Sequence, residues 1–354
     1  MKYKVYHFDV KGYRRSLGTV LLLGLLFAGL PATAQPAAGS AAQPAFGAEV
    51  AIASPSSIAP GDPLLCWILS GREAIEAKAT LTDASGRRIA GAESFYMPPQ
   101  GEGFLYGFLV PVPVKAPTGP AHLLISLGHN DGRSEYEAEI LIESKKFMKE
   151  DIPLDKANTA LRTQPDPAKT AETNAFAAIF QARDPTAIFA AGPMVKPLAV
   201  PWRETAGFAD ERRYLYDGGG SDSILHGGID LGAKEGSDVF ACAAGRVVFT
   251  GRRIVTGNTI VIEHLPGLFS LYMHLSSIGV AEGQEIDQGR VIGRVGSTGL
   301  STGPHLHWEM RIGSVSVNPY YWLSQPFLAP PSRQASPLDK AVNSSKIKPP
   351  AEGR

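Results

Sequence analysis

Apolar or alternating runs recur at 49–53, 64–69, 75–82, 103–112, 122–127 and 135–142, separated by turn signals such as Pro60-Gly61-Asp62, Asp83-Ala84-Ser85-Gly86, Pro117-Thr118-Gly119 and Asn130-Asp131-Gly132. Short strands at this spacing, with no 3.6-residue period, predict an antiparallel immunoglobulin-like β-sandwich over 48–144. The character changes at 145–200. An Ala-rich stretch at 168–182 places Phe176, Ile179 and Phe180 at helical intervals, with Asp166-Pro167 as a start signal and Asp184-Pro185 as a stop. One or two short helices are expected there, in a linker that Pro residues stiffen. From 201 to 325 strand and turn return at high Gly density, with clear strands at 246–250, 259–263, 269–273, 291–295 and 305–312. The tail, 326–354, is Pro/Ser/Lys-rich and reads as disordered. The fold class expected is all-β, with two β domains joined by a helical linker.

Composition narrows the choice of partners. Thirty-four basic residues balance thirty-four acidic ones, so no bulk positive charge is available for a nucleic-acid backbone. The first 34 residues hold five Lys or Arg and one Asp, which leaves the remainder at net −4. Their order is that of an export signal: charges ending in Arg14-Arg15, an apolar run over 17–30, then Ala32-Thr33-Ala34. Cleavage would expose Gln35 ahead of a flexible leader (35–47) and leave no integral membrane domain. A periplasmic or cell-envelope location is expected, with secretion as the other outcome. Cys66 and Cys242, both in apolar runs, read as small buried groups rather than a disulfide framework.

Histidine carries the chemistry. Seven lie beyond residue 34, and five of them, His226, His264, His274, His305 and His307, fall within 226–307. In Leu225-His226-Gly227-Gly228-Ile229-Asp230-Leu231 the paired glycines oppose a helix and suit a close turn on which imidazole and carboxylate converge. In His305-Leu306-His307-Trp308-Glu309-Met310 polar and apolar residues alternate with period two. On a strand His305, His307 and Glu309 then share one face, and Leu306, Trp308 and Met310 face the core. His226, Asp230 and His307 together would offer two nitrogens and one oxygen, leaving the fourth tetrahedral position open, as catalytic zinc is held. Such a zinc lowers the pKa of a bound water to about 7. His274, ending the run Leu271-Tyr272-Met273-His274-Leu275-Ser276, would reach the same pocket. The two spare imidazoles suit proton transfer and oxyanion stabilisation. His264, beside Leu265-Pro266-Gly267, reads as a solvent-exposed turn residue. His122 and His129 belong to no motif.

These stretches, with Gly257-Asn258-Thr259 and Gly293-Arg294-Val295-Gly296-Ser297-Thr298-Gly299 running on to Ser301-Thr302-Gly303-Pro304-His305, resemble the lysostaphin/LytM-type zinc metallopeptidases that cut peptidoglycan cross-links. The resemblance covers about 201–325. It implies zinc on His226, Asp230 and His307, with His305 as general base and His274 as transition-state stabiliser. It also implies peptidoglycan stem peptides or cross-bridges as substrate. Tyr216-Asp217-Gly218-Gly219-Gly220 is similar to a stretch from which some members bring a tyrosine to the oxyanion, which makes Tyr216 a candidate. Asn258 is expected to secure a turn. The resemblance leaves room for a regulatory protein partner. It also leaves two other readings: a non-catalytic relative that activates wall amidases, against which all five retained motif residues argue, and a wall-binding module centred on the sandwich.

Overall fold

The computed structural model describes residues 4–8, 51–97 and 103–323, apart from 183, 186 and 191. Nearly all of the expected export signal, the leader and the tail lie outside the described residues. The described residues are mostly β, with two α-helices, and no described helix is long and apolar enough to cross a membrane.

The N-terminal half forms two five-stranded sheets. One runs Lys4–Phe8, Ala51–Pro55, Pro63–Ser70, Phe104–Pro111, Phe95–Met97, and the other Ser57–Ile58, Gly132–Ile142, Gly119–His129, Glu76–Asp83, Arg88–Glu93. Cleavage after Ala34 would remove Lys4–Phe8 and leave Ala51–Pro55 as the edge of its sheet. Gly119–His129 and Gly132–Ile142 bury every second residue, so Ala121, Leu123, Ile125 and Leu127 point inward with Tyr136, Ala138, Ile140 and Ile142. That alternation is the mark of a sheet covered on one face. Pro63–Ser70 and Phe104–Pro111 are buried almost throughout, matching their continuous apolar sequence. Phe104–Pro111 lies close to His305–Ile312 and Val315–Val317 of the C-terminal half. At this junction Asn318 donates from its side chain to Asp62 (2.8 Å) and from its backbone to the Gly61 carbonyl (2.8 Å). Gly61 turns at φ +85°, and a Cβ there would stand 2.6 Å from the Phe208 ring, so only glycine satisfies both the turn and the contact.

The segment between the halves is fastened to the C-terminal sheet. Its first helix, α1 (Lys156–Thr163), is capped by the Asp155 carboxylate and tied to Asp222 by both forks of Arg162, at 2.9 and 2.8 Å. The second, α2 (Pro167–Gln181), starts where Asp166-Pro167 indicated, the Asp166 side chain accepting from the Ala168 N–H. Phe176 and Phe180, one turn apart, pack on Val261, Phe269, Leu271 and Met273.

The C-terminal half is built on an eight-stranded sheet ordered Arg203–Ala206, Gly228–Gly232, His305–Ile312, Leu268–Leu275, Gly257–Leu265, Gly245–Arg253, Glu285–Ile286, with Val315–Val317 beside His305–Ile312. A small sheet, Lys149–Pro153, Glu211–Leu215 and Ser221–Leu225, joins the middle segment to this half. Cys66 and Cys242 are both free and fully buried, as their apolar surroundings indicated.

His264 corrects the sequence reading. The strand continues through it to Leu265, and its ring is fully buried. Its Nδ1–H donates to the Ala244 carbonyl (2.7 Å) and its Nε2 accepts from Ser270 (2.7 Å). Burial, opposed by the Ala244 bond, pushes its pKa down to about 4. The unfolded chain, titrating near 6.5, takes up the proton first. The stabilising contribution of the neutral ring is therefore complete above pH 6.5 and lost as pH falls towards 4, by about 3 kcal/mol. Denaturant midpoints measured from pH 7 to 4 are expected to drop steeply in the native protein and less in His264→Asn; identical slopes would dismiss His264 as the source.

Candidate metal and catalytic site

Register brings the site together. Gly228–Gly232 pairs antiparallel with His305–Ile312 so that Asp230 stands opposite His307, and Met273 is the neighbour of His307 on its other side, one residue before His274. The two glycines after His226 allow a close approach. A Cβ on Gly228 would meet the Trp308 carbonyl at 2.4 Å and His307 Nε2 at 2.9 Å, and one on Gly227 would meet Glu309 at 3.0 Å. Leu306, Trp308 and Met310 are fully buried on the opposite side of the strand.

Three donor atoms converge. His307 Nδ1 lies 2.9 Å from Asp230 Oδ1 and 3.0 Å from His226 Nε2, and His226 Nε2 lies 3.2 Å from the same oxygen. Donors at about 2.0–2.1 Å from a tetrahedral zinc stand about 3.3 Å apart, so the set needs little adjustment to hold one. Its support also suits a metal. His226 Nδ1–H donates to the Gly207 carbonyl (2.8 Å), which leaves Nε2 unprotonated. His307 Nε2 faces Glu309 at 3.4 Å, and Glu309 is held by Arg311 (2.5 Å) and Ser316 (2.6 Å). Asp230 offers Oδ1 inward while Oδ2 accepts from Arg212 (2.5 Å). Hydrogen-bonded partners of this kind fix the orientation of metal ligands.

Electrostatics keeps Asp230 and His226 in ligand form, whereas His307 must give up a proton to bind a metal. Burial pushes the Asp230 carboxyl up, but hydrogen bonds from His226 and His307 hold it well below the usual range. Burial lowers His226. Burial also works against a charge on His307, yet Asp230 and Glu309 raise it to about 9, so in the metal-free protein the imidazolium is the counter-charge of two carboxylates.

Two further imidazoles stand at the rim. His274 ends its strand at φ +60°. Among the described residues only it and Ala209, whose N–H donates to the His226 carbonyl, are non-glycine residues with positive φ. Strain of this kind clusters at functional sites. His274 Nδ1–H donates to the Thr298 carbonyl (2.7 Å), and burial, with His305 and His307 nearby, pushes its pKa down to about 3. His305 Nδ1–H donates to the Gly303 carbonyl (2.8 Å), its Nε2 is 3.8 Å from Asp230 Oδ1, and its ring centre is 4.8 Å from that of His274. In its neutral form each ring thus presents Nε2 as an acceptor.

Tyr216 does not join them. It faces Asp222 and Arg162 and is absent from the walls of the groove; residues 216–220 form the hairpin turn between Glu211–Leu215 and Ser221–Leu225, at the opposite end of that strand from His226. Tyr214, two residues earlier, is buried in the groove wall under the Arg162 guanidinium, 4.0 Å from its ring centre. Asn258 donates to the Leu275 carbonyl (2.9 Å), clamping the strand beside His274. Sequence reasoning did not find Arg212. Glu309 was found on the shared face, and its grip on His307 follows from that period. The five residues open into a groove of about 880 Å³ whose far wall comes from the middle segment, including Phe176 and Phe180.

Residues 224–319 match Peptidase family M23. This stretch is a peptidase M23 domain of the lysostaphin/LytM type. It is 46% identical over 118 residues to the DD-carboxypeptidase/endopeptidase Mpg of Neisseria meningitidis serogroup B, covering 33% of this chain and 26% of that protein. It is 40% identical over 122 residues to the peptidoglycan DD-endopeptidase ShyA of Vibrio cholerae, covering 34% and 28%. The murein hydrolase activator NlpD of Escherichia coli is 40% identical over 99 residues, covering 28% and 26%. The chain thus spans about a quarter of the length of these curated relatives.

Proposed function

We propose that this protein is a zinc-dependent endopeptidase that hydrolyses peptide cross-links of peptidoglycan in the cell envelope, after export directed by residues 1–34. The observation that carries the reading is the meeting of His226, Asp230, His307, His274 and His305 in one groove. The two peptidase relatives support the substrate class.

In this reading His226, Asp230 and His307 hold the zinc. A zinc ion there would supply Lewis acidity towards a scissile carbonyl and an attacking water. The chain does the rest. Arg212 keeps Oδ2 of Asp230 occupied and Oδ1 aimed at the ligand position. Thr298 and Gly303 fix the tautomers of His274 and His305, so that each ring offers Nε2 as a proton acceptor. We assign to His305 the abstraction of a proton from the water and its return to the leaving amine, with His274 beside it as the second candidate acceptor. The strand after His226 and the wall from the middle segment align an extended peptide along the groove.

The likeness to NlpD supports a second reading, a metal-free activator of another wall hydrolase. Zinc analysis of the purified protein, with mass spectrometry of fragments released from purified peptidoglycan, separates the two. One zinc per chain with new peptide ends, abolished by a chelator and restored by zinc, supports the peptidase. A metal-free protein that releases nothing alone but stimulates an added amidase supports the activator.

A further inference from the structure

We propose that Arg253 is a carboxylate-binding residue of the substrate groove, and that the preferred substrate is therefore an acidic peptide carrying a free carboxylate beside the scissile bond. The proposal rests on the peptidase reading and adds the substrate's charge to it.

Arginines of the groove wall differ in what they hold. Arg162 is committed to Asp222, Arg212 to Asp230 and Arg311 to Glu309. Arg203 is exposed, and water satisfies it. Arg253 is half-buried at the end of the strand Gly245–Arg253, and among the described residues its guanidinium makes two long hydrogen bonds, to Thr256 Oγ1 at 3.4 Å and the Glu172 carbonyl at 3.5 Å. The Glu172 carboxylate is turned to the Ile254 N–H (2.9 Å). A guanidinium has five donors in a fixed fork, and taking one out of water without a carboxylate is unfavourable.

A second cation adds to that cost. Arg253 stands 3.9 Å over the Phe176 ring and Arg311 stands 4.7 Å over Phe180, and these rings are 5.0 Å apart on successive turns of α2. Two guanidiniums therefore share one wall with two carboxylates that are already engaged: Glu309, which also faces His307 and Ser316, and Glu172, which accepts from the Ile254 N–H. Loss of water weighs most against the charge on Arg253; the nearby Glu172 carboxylate supports that charge and the proximity of Arg311 opposes it. An anion between the phenyl-backed guanidiniums relieves both penalties, and carboxylate matches the fork in a bidentate pair. The place suits a substrate group. The Thr256 carbonyl accepts the backbone N–H of His274 at 2.9 Å, so the segment that steadies Arg253 also carries the catalytic rim.

The test uses two synthetic cross-linked stem peptides, identical except that the free carboxylates flanking the cleaved bond are amidated in one. Binding is measured by calorimetry on the zinc-loaded full chain, and cleavage by chromatography. The wild type is expected to bind the acidic peptide about tenfold or more tightly than the amidated one. Arg253→Gln is expected to remove that preference by raising Kd and KM for the acidic peptide, with kcat within about twofold and the amidated peptide unaffected; Arg253→Lys restores part of it. Equal binding of both peptides by the wild type overturns the proposal. So does an equal loss on both peptides in Arg253→Gln, accompanied by a lower Tm, since that pattern belongs to a residue that only seats α2. A wild type that binds the acidic peptide through Arg253 yet cleaves neither would sink the peptidase reading and leave the carboxylate site standing.

Discussion

His307→Ala is expected to leave a folded protein without stoichiometric zinc and with peptidoglycan hydrolysis reduced by about 10³-fold or more. His307 is the centre of the donor set, within 3.0 Å of both other donors, and its removal leaves one imidazole and one carboxylate for the metal. The fold survives because each carboxylate the ring contacts has a second cation, Arg212 for Asp230 and Arg311 for Glu309. The alternative outcome, a collapsed site, would show as a loss of unfolding free energy well beyond the roughly 3–5 kcal/mol that breaking a buried ion pair costs. Elemental analysis after dialysis, calorimetric melting and muropeptide release are the three measurements. Near-stoichiometric zinc in the variant would remove His307 from the ligand set, whatever its activity.

The two halves of that donor set were legible because the geometry of each half is local. A period-two strand puts His305, His307 and Glu309 on one side by stereochemistry alone, and the strand His305–Ile312 has the bounds its alternation indicated. The paired glycines after His226 announce a close approach, and the atoms they make room for are Glu309, His307 and the Trp308 backbone. The second helix was readable from its cap and its phenylalanines. What escaped depends on partners distant in sequence. Arg212 reaches Asp230 because Glu211–Leu215 pairs in a small sheet whose strands are largely polar and exposed, and no periodicity marks it. His264 looked like a turn residue because Pro266-Gly267 follows, but its ring is satisfied inside the core by Ala244, in the bend before one neighbouring strand, and by Ser270 on another. Tyr216 was matched on a glycine-rich neighbourhood, whereas the tyrosine that lines the groove is Tyr214.

His305→Ala is expected to keep its zinc and lose about 10²- to 10⁴-fold in turnover, the range over which a positioned proton-transfer group acts. Its Nε2 is 3.8 Å from Asp230 Oδ1, farther than either His226 or His307, so the three donors remain when the ring is gone. The Gly303 carbonyl takes its Nδ1–H and leaves a lone pair on the side of the groove where an attacking water would stand. His274 offers the same form of imidazole, since Thr298 takes its Nδ1–H and its surroundings oppose a second proton. Two acceptors 4.8 Å apart, centre to centre, serve either one proton transfer in relay or two separate steps. The double variant His274→Ala/His305→Ala decides between them. If the rings act on one transfer, it falls no further than about the worse single variant, as residues working as a unit do. If each acts on its own step, the losses multiply. Zinc retained in all three variants is the condition for reading the comparison, and loss of zinc from His305→Ala would place that ring among the ligands instead.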